Sequence, residues 1–540
     1  MVFVIFTILI QRVDAETIRV PKDAKTIQGA IDRSQPGDTI EVGPGVYTES
    51  IVLKPNRILK SAGDDSQGKL GLVRAERTII NGGKQTKSSG VTLAEKSILD
   101  GFTILNTGTY DDAKWQKHFK TQGNEQPHDH IGRPSISGIR VEKVYCEVRN
   151  NIIHHHGYSG IVVMGASQTG KAPRIEANIC FRNMGAGISL MKGTRALVSR
   201  NVCFENFYAG IGQNNAHPTI VHNKCYGNIR AGIGISNGSC PLVQRNQCYK
   251  NRRAGIGTRT GKKTCPTISN NDCFENDMAG IGTEEDASPV IVDNKCYRNK
   301  LAGIGCTEHS SPTIVSNQCY ENGKAGIGCD GGAQPLIISN HCFQNKTSGI
   351  GFAACQKGRA KVLNNRLVNN AMVAMGVHPG WQIEVMGNYL ERKNGMPPLV
   401  MVFKGSSVKF VDNELVGGGV AGIRCAGEVT VQLCKFTGTQ FRTGGPPNFG
   451  VWGLPGSRII IEDSNFFDWR HAVSASKSFT EIKGNSVIRI HRHAFSLMDP
   501  EVGTRVVGNQ LKAKDAKQSF LHSNQLEAIE FEDNRIVAIQ

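Results

Sequence analysis

Small apolar and amide-bearing positions follow one another down the middle of this chain in a fixed order: Asn-x-Cys-aromatic-x-Asn, then three residues later Ala-Gly-Ile-Gly. The unit stands at residues 201–212, 223–234, 246–257, 271–282, 294–305 and 317–328, with a Ser-Gly-Ile-Gly version at 340–351. Successive leading asparagines are 22, 23, 25, 23, 23 and 23 residues apart. That step is too short for a helical pair and right for one turn of a β-solenoid. The Cys positions (Cys203, Cys225, Cys248, Cys273, Cys296, Cys319, Cys342) and the Ile positions (Ile211, Ile233, Ile256, Ile281, Ile304, Ile327, Ile350) form two inward columns. Asn at the bends can donate and accept along its column as amide ladders do, and the glycines permit tight turns and close backbone approach.

Weaker copies extend the array. Residues 151–161 keep the spacing with Ile153 in the Cys place and His156 in the second Asn place, and 178–188 keep it with Cys180 and Asn183. Downstream, Asn365 with Asn370 and Met375, Asn413 with Gly422 and Ile423, then Asn465, Asn485, Asn509 and Asn534 follow at similar intervals. A length of 540 therefore reads as one repeat domain, residues 16–540, with regular repeats over about 140–376. Residues 24–34 place Ile27, Ala30 and Ile31 on one helical face, a short amphipathic helix suited to covering the first coil. Two insertions interrupt the rhythm: 107–134, with Trp115, His118, His128, Asp129 and His130, and 437–450. Long loops on a regular scaffold are natural places for specificity.

The first fifteen residues are apolar and end on Val13-Asp14-Ala15, a small-residue cleavage site, so they read as a secretory signal lacking a basic n-region. A secreted or periplasmic location follows as the expectation. No other stretch approaches the roughly 18 apolar residues of a membrane span, so no membrane insertion is expected. Of the 16 cysteines, eight belong to the inward column and act as small hydrophobes. Two vertical pairs near corners, Cys240 with Cys265 and Cys306 with Cys329, are the candidates for disulfides. No C-x-x-C spacing supports a metal site.

Residues 18–32, then Gly37-Asp-Thr-Ile-Glu-Val and Gly45-Val-Tyr-Thr-Glu, resemble the opening of right-handed parallel β-helix proteins of the pectin-lyase-like superfamily. The Asn-x-Cys-Tyr-x-Asn units resemble the repeats of carbohydrate-binding and sugar-hydrolase β-helices, of the periplasmic nitrous oxide reductase accessory protein and of F-box β-helix proteins. The resemblance implies an all-β, single-stranded right-handed parallel β-helix of roughly 17–20 coils with an N-terminal capping helix. It does not fix an activity, because the fold hosts lyases, hydrolases, epimerases and non-enzymes. The Gly-His-Gly expected of polygalacturonase-like hydrolases is absent. Pro127-His128-Asp129 resembles the Asp-Pro-His motif of alginate epimerases, with Gln126 in place of the Asp.

Charge gives the candidate chemistry. The net charge is +17, and no Asp or Glu occurs between Asn206 and Asn271, a span that holds Lys224, Arg230, Arg245, Lys250, Arg252, Arg253, Arg259, Lys262 and Lys263. Such a band suits a polyanion; an acidic polysaccharide is expected and nucleic acid is not, since no nucleic-acid motif appears. After each Gly-Ile-Gly the sequence varies from coil to coil and passes into Glu284, Glu285, Asp286, Glu308, His309 and Asp330. Glu285, Glu308, Asp330 and His309 are the catalytic candidates; Arg252, Arg253, Arg259 and Lys262 are the substrate-binding candidates. Vertical carboxylates about 5 Å apart can divide acid and nucleophile duties, and wider pairs admit a water. Calcium on Glu284, Glu285, Asp286 and Asp330 is the alternative use of the cluster; otherwise no cofactor is expected. In His154-His155-His156 alternate side chains face opposite ways, so a structural role is expected there. The leading reading is a monomeric exported protein that binds an anionic polysaccharide, with its cleavage or epimerisation left open. A non-catalytic protein-interaction scaffold and a periplasmic metal-delivery accessory protein are the alternatives.

Overall fold

The computed structural model describes residues 15–124, 126, 136–393, 395–438, 447–513 and 519–538. Most of the leader, His128, Asp129, His130 and much of the second insertion lie outside them. The chain divides into two compact units, Met1–Lys117 with His128–Phe207 and His118–Pro127 with Tyr208–Gln540. Both are built as a parallel β-solenoid with three sheets, here A, B and C in the order the chain visits them, and the turns number about 22, slightly more than the sequence spacing suggests.

In the first unit, Thr17–Val20, Thr39–Val42 and Ile58–Ser61 pair in parallel in sheet A. The inward rows stack small or mid-sized apolar residues, for example Ile153 on Cys180 and Cys180 on Cys203 in sheet B. The expected cap is the helix Ile27–Arg33, which buries Ile27, Ala30 and Ile31 completely. Thr26 caps it by accepting from the Gly29 amide, and the Glu49 carboxylate accepts from the Ile27 and Gln28 amides. These contacts satisfy donors that a helix N-terminus leaves open. The first insertion contains the helix Asp112–Lys120. Trp115 is buried, its indole N–H donates to the Glu205 carbonyl at 2.8 Å, and the Arg182 guanidinium lies 3.8 Å from the ring centre. His156 fills the second Asn corner as expected: it accepts from the Thr107 amide through Nδ1 and bonds the Ile104 carbonyl through Nε2. Burial pushes its pKa down to about 3. His154 and His155 do meet, Nδ1 to Nδ1 at 2.6 Å, because His155 turns the corner with φ of 58°.

In the second unit the two asparagine columns are explicit. Nδ2 of each donates to Oδ1 of the next at 2.9–3.0 Å, from Asn223 to Asn413 in one column and from Asn228 to Asn370 in the other. Each also donates to a strand carbonyl, as Asn276 does to Cys248. The Cys and Ile columns are fully buried, and burial drives the Cys273 and Cys296 thiols well above their ordinary range. The aromatic position, left unexplained by the sequence, forms an outward ladder: Tyr226, Tyr249, Phe274, Tyr297, Tyr320 and Phe343 stack at 4.9–5.0 Å. Near the C-terminus the register differs from expectation. Ser464, not Asn465, takes the corner, its Oγ accepting from the Cys434 amide at 3.0 Å, while Asn465 points outward on the strand. Of the two candidate disulfides, Cys240–Cys265 forms; Cys306 and Cys329 remain reduced and buried.

Candidate functional site

The outward face of sheet C in the second unit is floored by glycine. Its strands Ile233–Ser236, Ile256–Thr258, Ile281–Thr283, Ile304–Cys306 and Ile327–Cys329 place Gly234, Gly257, Gly282, Gly305 and Gly328 in one column. The two glycines of each Ala-Gly-Ile-Gly have different reasons to exist. A β-carbon on Gly255, Gly280, Gly303 or Gly326 would stand 2.6–2.8 Å from the carbonyl oxygen of the next coil, so the fold requires glycine there. A β-carbon on Gly234, Gly257, Gly282, Gly305 or Gly328 would meet an alanine β-carbon at 3.4–3.7 Å, an ordinary contact, and none of these residues has a positive φ. Neither conformation nor packing demands the second glycine, although glycine inside a strand costs about 0.5–1 kcal/mol against alanine.

Beyond this floor the chain turns from sheet C to sheet A through two successive left-handed residues. In most coils one or both are glycine: Asn237-Gly238 (53° and 78°), Thr260-Gly261 (68° and 85°) and Gly331-Gly332 (55° and 74°). The acidic coils instead hold Glu285-Asp286 (53° and 60°) and Glu308-His309 (49° and 61°). A side chain in that region costs about 1–2 kcal/mol per residue.

Glu285 and Glu308 occupy the same place in successive turns: the Gly261 amide donates to the Glu285 carbonyl, the Asp286 amide to the Glu308 carbonyl, and the His309 amide to the Gly331 carbonyl. Asp330 stands one position earlier, in the row of Arg259, Glu284 and Thr307, as the pairing of Thr283 with Cys306 and of Cys306 with Cys329 dictates. His309 stands one position later, its Nδ1 2.9 Å from where a Gly332 β-carbon would be. The four catalytic candidates thus lie in three adjacent rows. Glu308, His309 and Asp330 are exposed. Arg259 pairs closely with Glu285 and lies 3.6 Å from the Glu284 carboxylate. Sequence reasoning gave Glu284 no catalytic part, yet it is the carboxyl of this cluster whose pKa is raised: burial comes first, and Glu285 and Glu308 add to it against Arg259 and Arg253.

The basic run does not form one band. Arg230, Arg252 and Arg253 stand at the corner from sheet B to sheet C and hold Phe119, Gln122, Gly123 and Gln126. Arg252 donates to the Phe119 carbonyl at 3.0 Å and pairs with Asp277 at 2.5 Å. Arg253 donates to the carbonyls of Gln122 and Gly123 at 3.1 and 2.7 Å. Arg230 donates to Oε1 and the carbonyl of Gln126 at 2.8 and 2.7 Å, and burial lowers its pKa to about 10. Lys262 and Lys263 are exposed at the same turn as Arg259, and their side chains make no ion pair. Among the described residues no group of three or more His, Cys, Asp or Glu side chains is placed to hold a metal ion, and no helix is long and apolar enough to cross a membrane.

A family description for a right-handed beta helix region matches residues 129–265 and 259–390. No curated protein sequence matches the chain significantly. Solved structures with a similar chain path include the A-module of the mannuronan C-5 epimerase AlgE6 of Azotobacter vinelandii, at 13% identity, covering 95% of each chain, TM-score 0.29. The periplasmic alginate epimerase AlgG is similar at 13% identity over 82% of this chain and 85% of that one, TM-score 0.32. The Dettilon tailspike protein is similar at 12% identity over 68% and 66%, TM-score 0.35. At such identities the likeness does not reach the chemistry. With a repeat that the β-helix description matches over 129–390, and three parallel sheets in each unit, the chain is a right-handed parallel β-helix protein.

Proposed function

We propose that this protein binds a linear anionic polysaccharide along the outward face of sheet C, with the turn at Arg259, Lys262, Lys263, Glu284 and Glu285 as one wall. The observation that carries the reading is the column of glycines at 234, 257, 282, 305 and 328, which the backbone does not require. Glycine kept inside a strand without a structural reason points to a partner that approaches the backbone closely. A floor that repeats coil after coil suits an extended polymer rather than a compact ligand. The unpaired Lys262 and Lys263 favour a negative one. The Cys240–Cys265 disulfide favours an oxidising compartment, in keeping with export. Glu284, whose proton is held more tightly than usual, is suited to act as a general acid if the bound polymer is also modified.

The test is affinity electrophoresis against uronate-containing, sulfated and neutral polysaccharides, with Gly282→Leu to fill the floor and a Lys262→Ala, Lys263→Ala pair to remove charge. Retardation by acidic polymers alone, lost in Gly282→Leu and weakened in the lysine pair, is expected. Unchanged retardation in Gly282→Leu sinks the sheet C site. Assays for unsaturated product, reducing ends and epimerised residues, repeated with Glu284→Gln, separate an enzyme from a binding protein.

A further inference from the structure

A second cluster lies away from sheet C, at the corner where sheet A passes into sheet B. An open depression of about 320 Å³ is lined there by His222, Lys224, Arg245, Gln247, Asn270 and Asp272. His222, Arg245 and Asn270 turn the corner in successive coils with φ of 58°, 54° and 55°. Lys224, Gln247 and Asp272 form the neighbouring row, in register on the outward face of sheet B. All but the half-buried Asp272 are exposed.

The charges of this group are left unused. Elsewhere in the second unit, vertical neighbours of opposite charge close on one another: Lys250 on Glu275 at 3.7 Å, Arg298 on Glu321 at 2.7 Å, Arg252 and Lys300 on Asp277 at 2.5 Å each. The side chains of His222, Lys224, Arg245, Gln247, Asn270 and Asp272 make no hydrogen bond or ion pair, although Asp272 lies within one or two strand spacings of Lys224, Arg245 and Lys295.

We propose that this depression binds a single sugar unit bearing one anionic substituent. Arg245 presents a planar fork of donors and Lys224 a compact charge, the combination that takes a carboxylate or sulfate. His222 adds a third cation when protonated. Gln247 and Asn270 can donate and accept, and Asp272 accepts, which matches a ring of hydroxyl groups. Asp272 also repels a bare anion, so the set discriminates an acidic sugar from both a neutral sugar and inorganic phosphate. The site stands on residues separate from the sheet C floor and is independent of the function proposed there.

Ligand-observed NMR and calorimetry on the full chain, with glucuronate, a sulfated glucose, glucose and inorganic phosphate as probes, test it. One or both acidic sugars should bind at least tenfold more tightly than glucose, and the two probes decide between carboxylate and sulfate. The pair Lys224→Gln, Arg245→Gln should reduce acidic-sugar binding to the level of glucose. Asp272→Asn should weaken the acidic sugar severalfold while strengthening phosphate, a reversal that a nonspecific positive surface would not give. Equal binding of glucose and the acidic sugars, or no effect of the Lys224 and Arg245 changes, would each overturn the proposal. The substituted side chains lie at the surface, and circular dichroism of each variant confirms that the fold persists.

Discussion

A β-carbon built on Gly280 would stand 2.8 Å from the carbonyl oxygen of Gly303, a distance that backbone atoms cannot relax cheaply. Two residues on, a β-carbon on Gly282 would touch only Ala254, at 3.7 Å. Gly280→Ala is therefore expected to cost about 1–3 kcal/mol through overpacking. Gly282→Ala should leave stability unchanged or raise it by up to about 1 kcal/mol. Urea midpoints of the two variants check this, and equal losses would mean that the fold requires both glycines.

Asn276 carries more than its own corner. Its Oδ1 accepts from the Asn251 amide and Nδ2, while its Nδ2 donates to Asn299 and to the Cys248 carbonyl. Asn276→Ala strands buried donors on one side and acceptors on the other, each costing about 1–3 kcal/mol. A loss of at least about 2 kcal/mol is expected. Hydrogen exchange should show it concentrated in the coils on either side, 246–251 and 294–299.

Little of this architecture was hidden in the sequence, and what was hidden has physical reasons. The columns of Asn, Cys and Ile and the buried face of the helix Ile27–Arg33 follow from period and polarity alone. The contrast between Gly280 and Gly282 does not, because both recur equally in the motif and only the distance to the next coil separates them. The basic run misled for a geometric reason. One coil takes about 23 residues, so Arg245, Arg253 and Lys262, neighbours in sequence, stand at three different corners. Asn465 was misplaced by one position because Ser464 can also serve the corner.

Acid should strike the first unit at His156. Its pKa falls from the usual value to about 3 on folding, since burial disfavours the cation. The unfolded chain then binds the proton more readily, so stability is intact above about pH 6.5 and is lost progressively as pH falls toward 3. His156→Asn restores the residue that other coils carry and removes this term. The acid midpoint of unfolding, followed by limited proteolysis of the first unit, should move to lower pH; an unmoved midpoint would assign the acid lability elsewhere.

Glu284 titrates in the opposite sense. Its folded pKa is raised, so the folded state holds the proton more tightly, and this contribution to stability is present below the ordinary carboxyl pKa and is lost as pH rises through the folded value. Binding of an anionic polymer should weaken across the same interval as Glu284 gains charge. Glu284→Gln should flatten that part of the binding profile and bind more tightly than the parent at neutral pH. A profile identical to the parent's would remove Glu284 from the site.

The asparagine column has a direction. From Asn223 to Asn413 every amide donates toward the C-terminal neighbour, so the side-chain dipoles add in one sense, and each bond strengthens the next. At Asn413 the line passes to the Cys434 sulfur at 3.8 Å, a poor acceptor, and then to a serine hydroxyl before Asn485 resumes it. The second unit therefore contains a seam of weak coupling at Cys434. Under force or denaturant, the coils beyond it are expected to separate as one cooperative block, while those before it hold together.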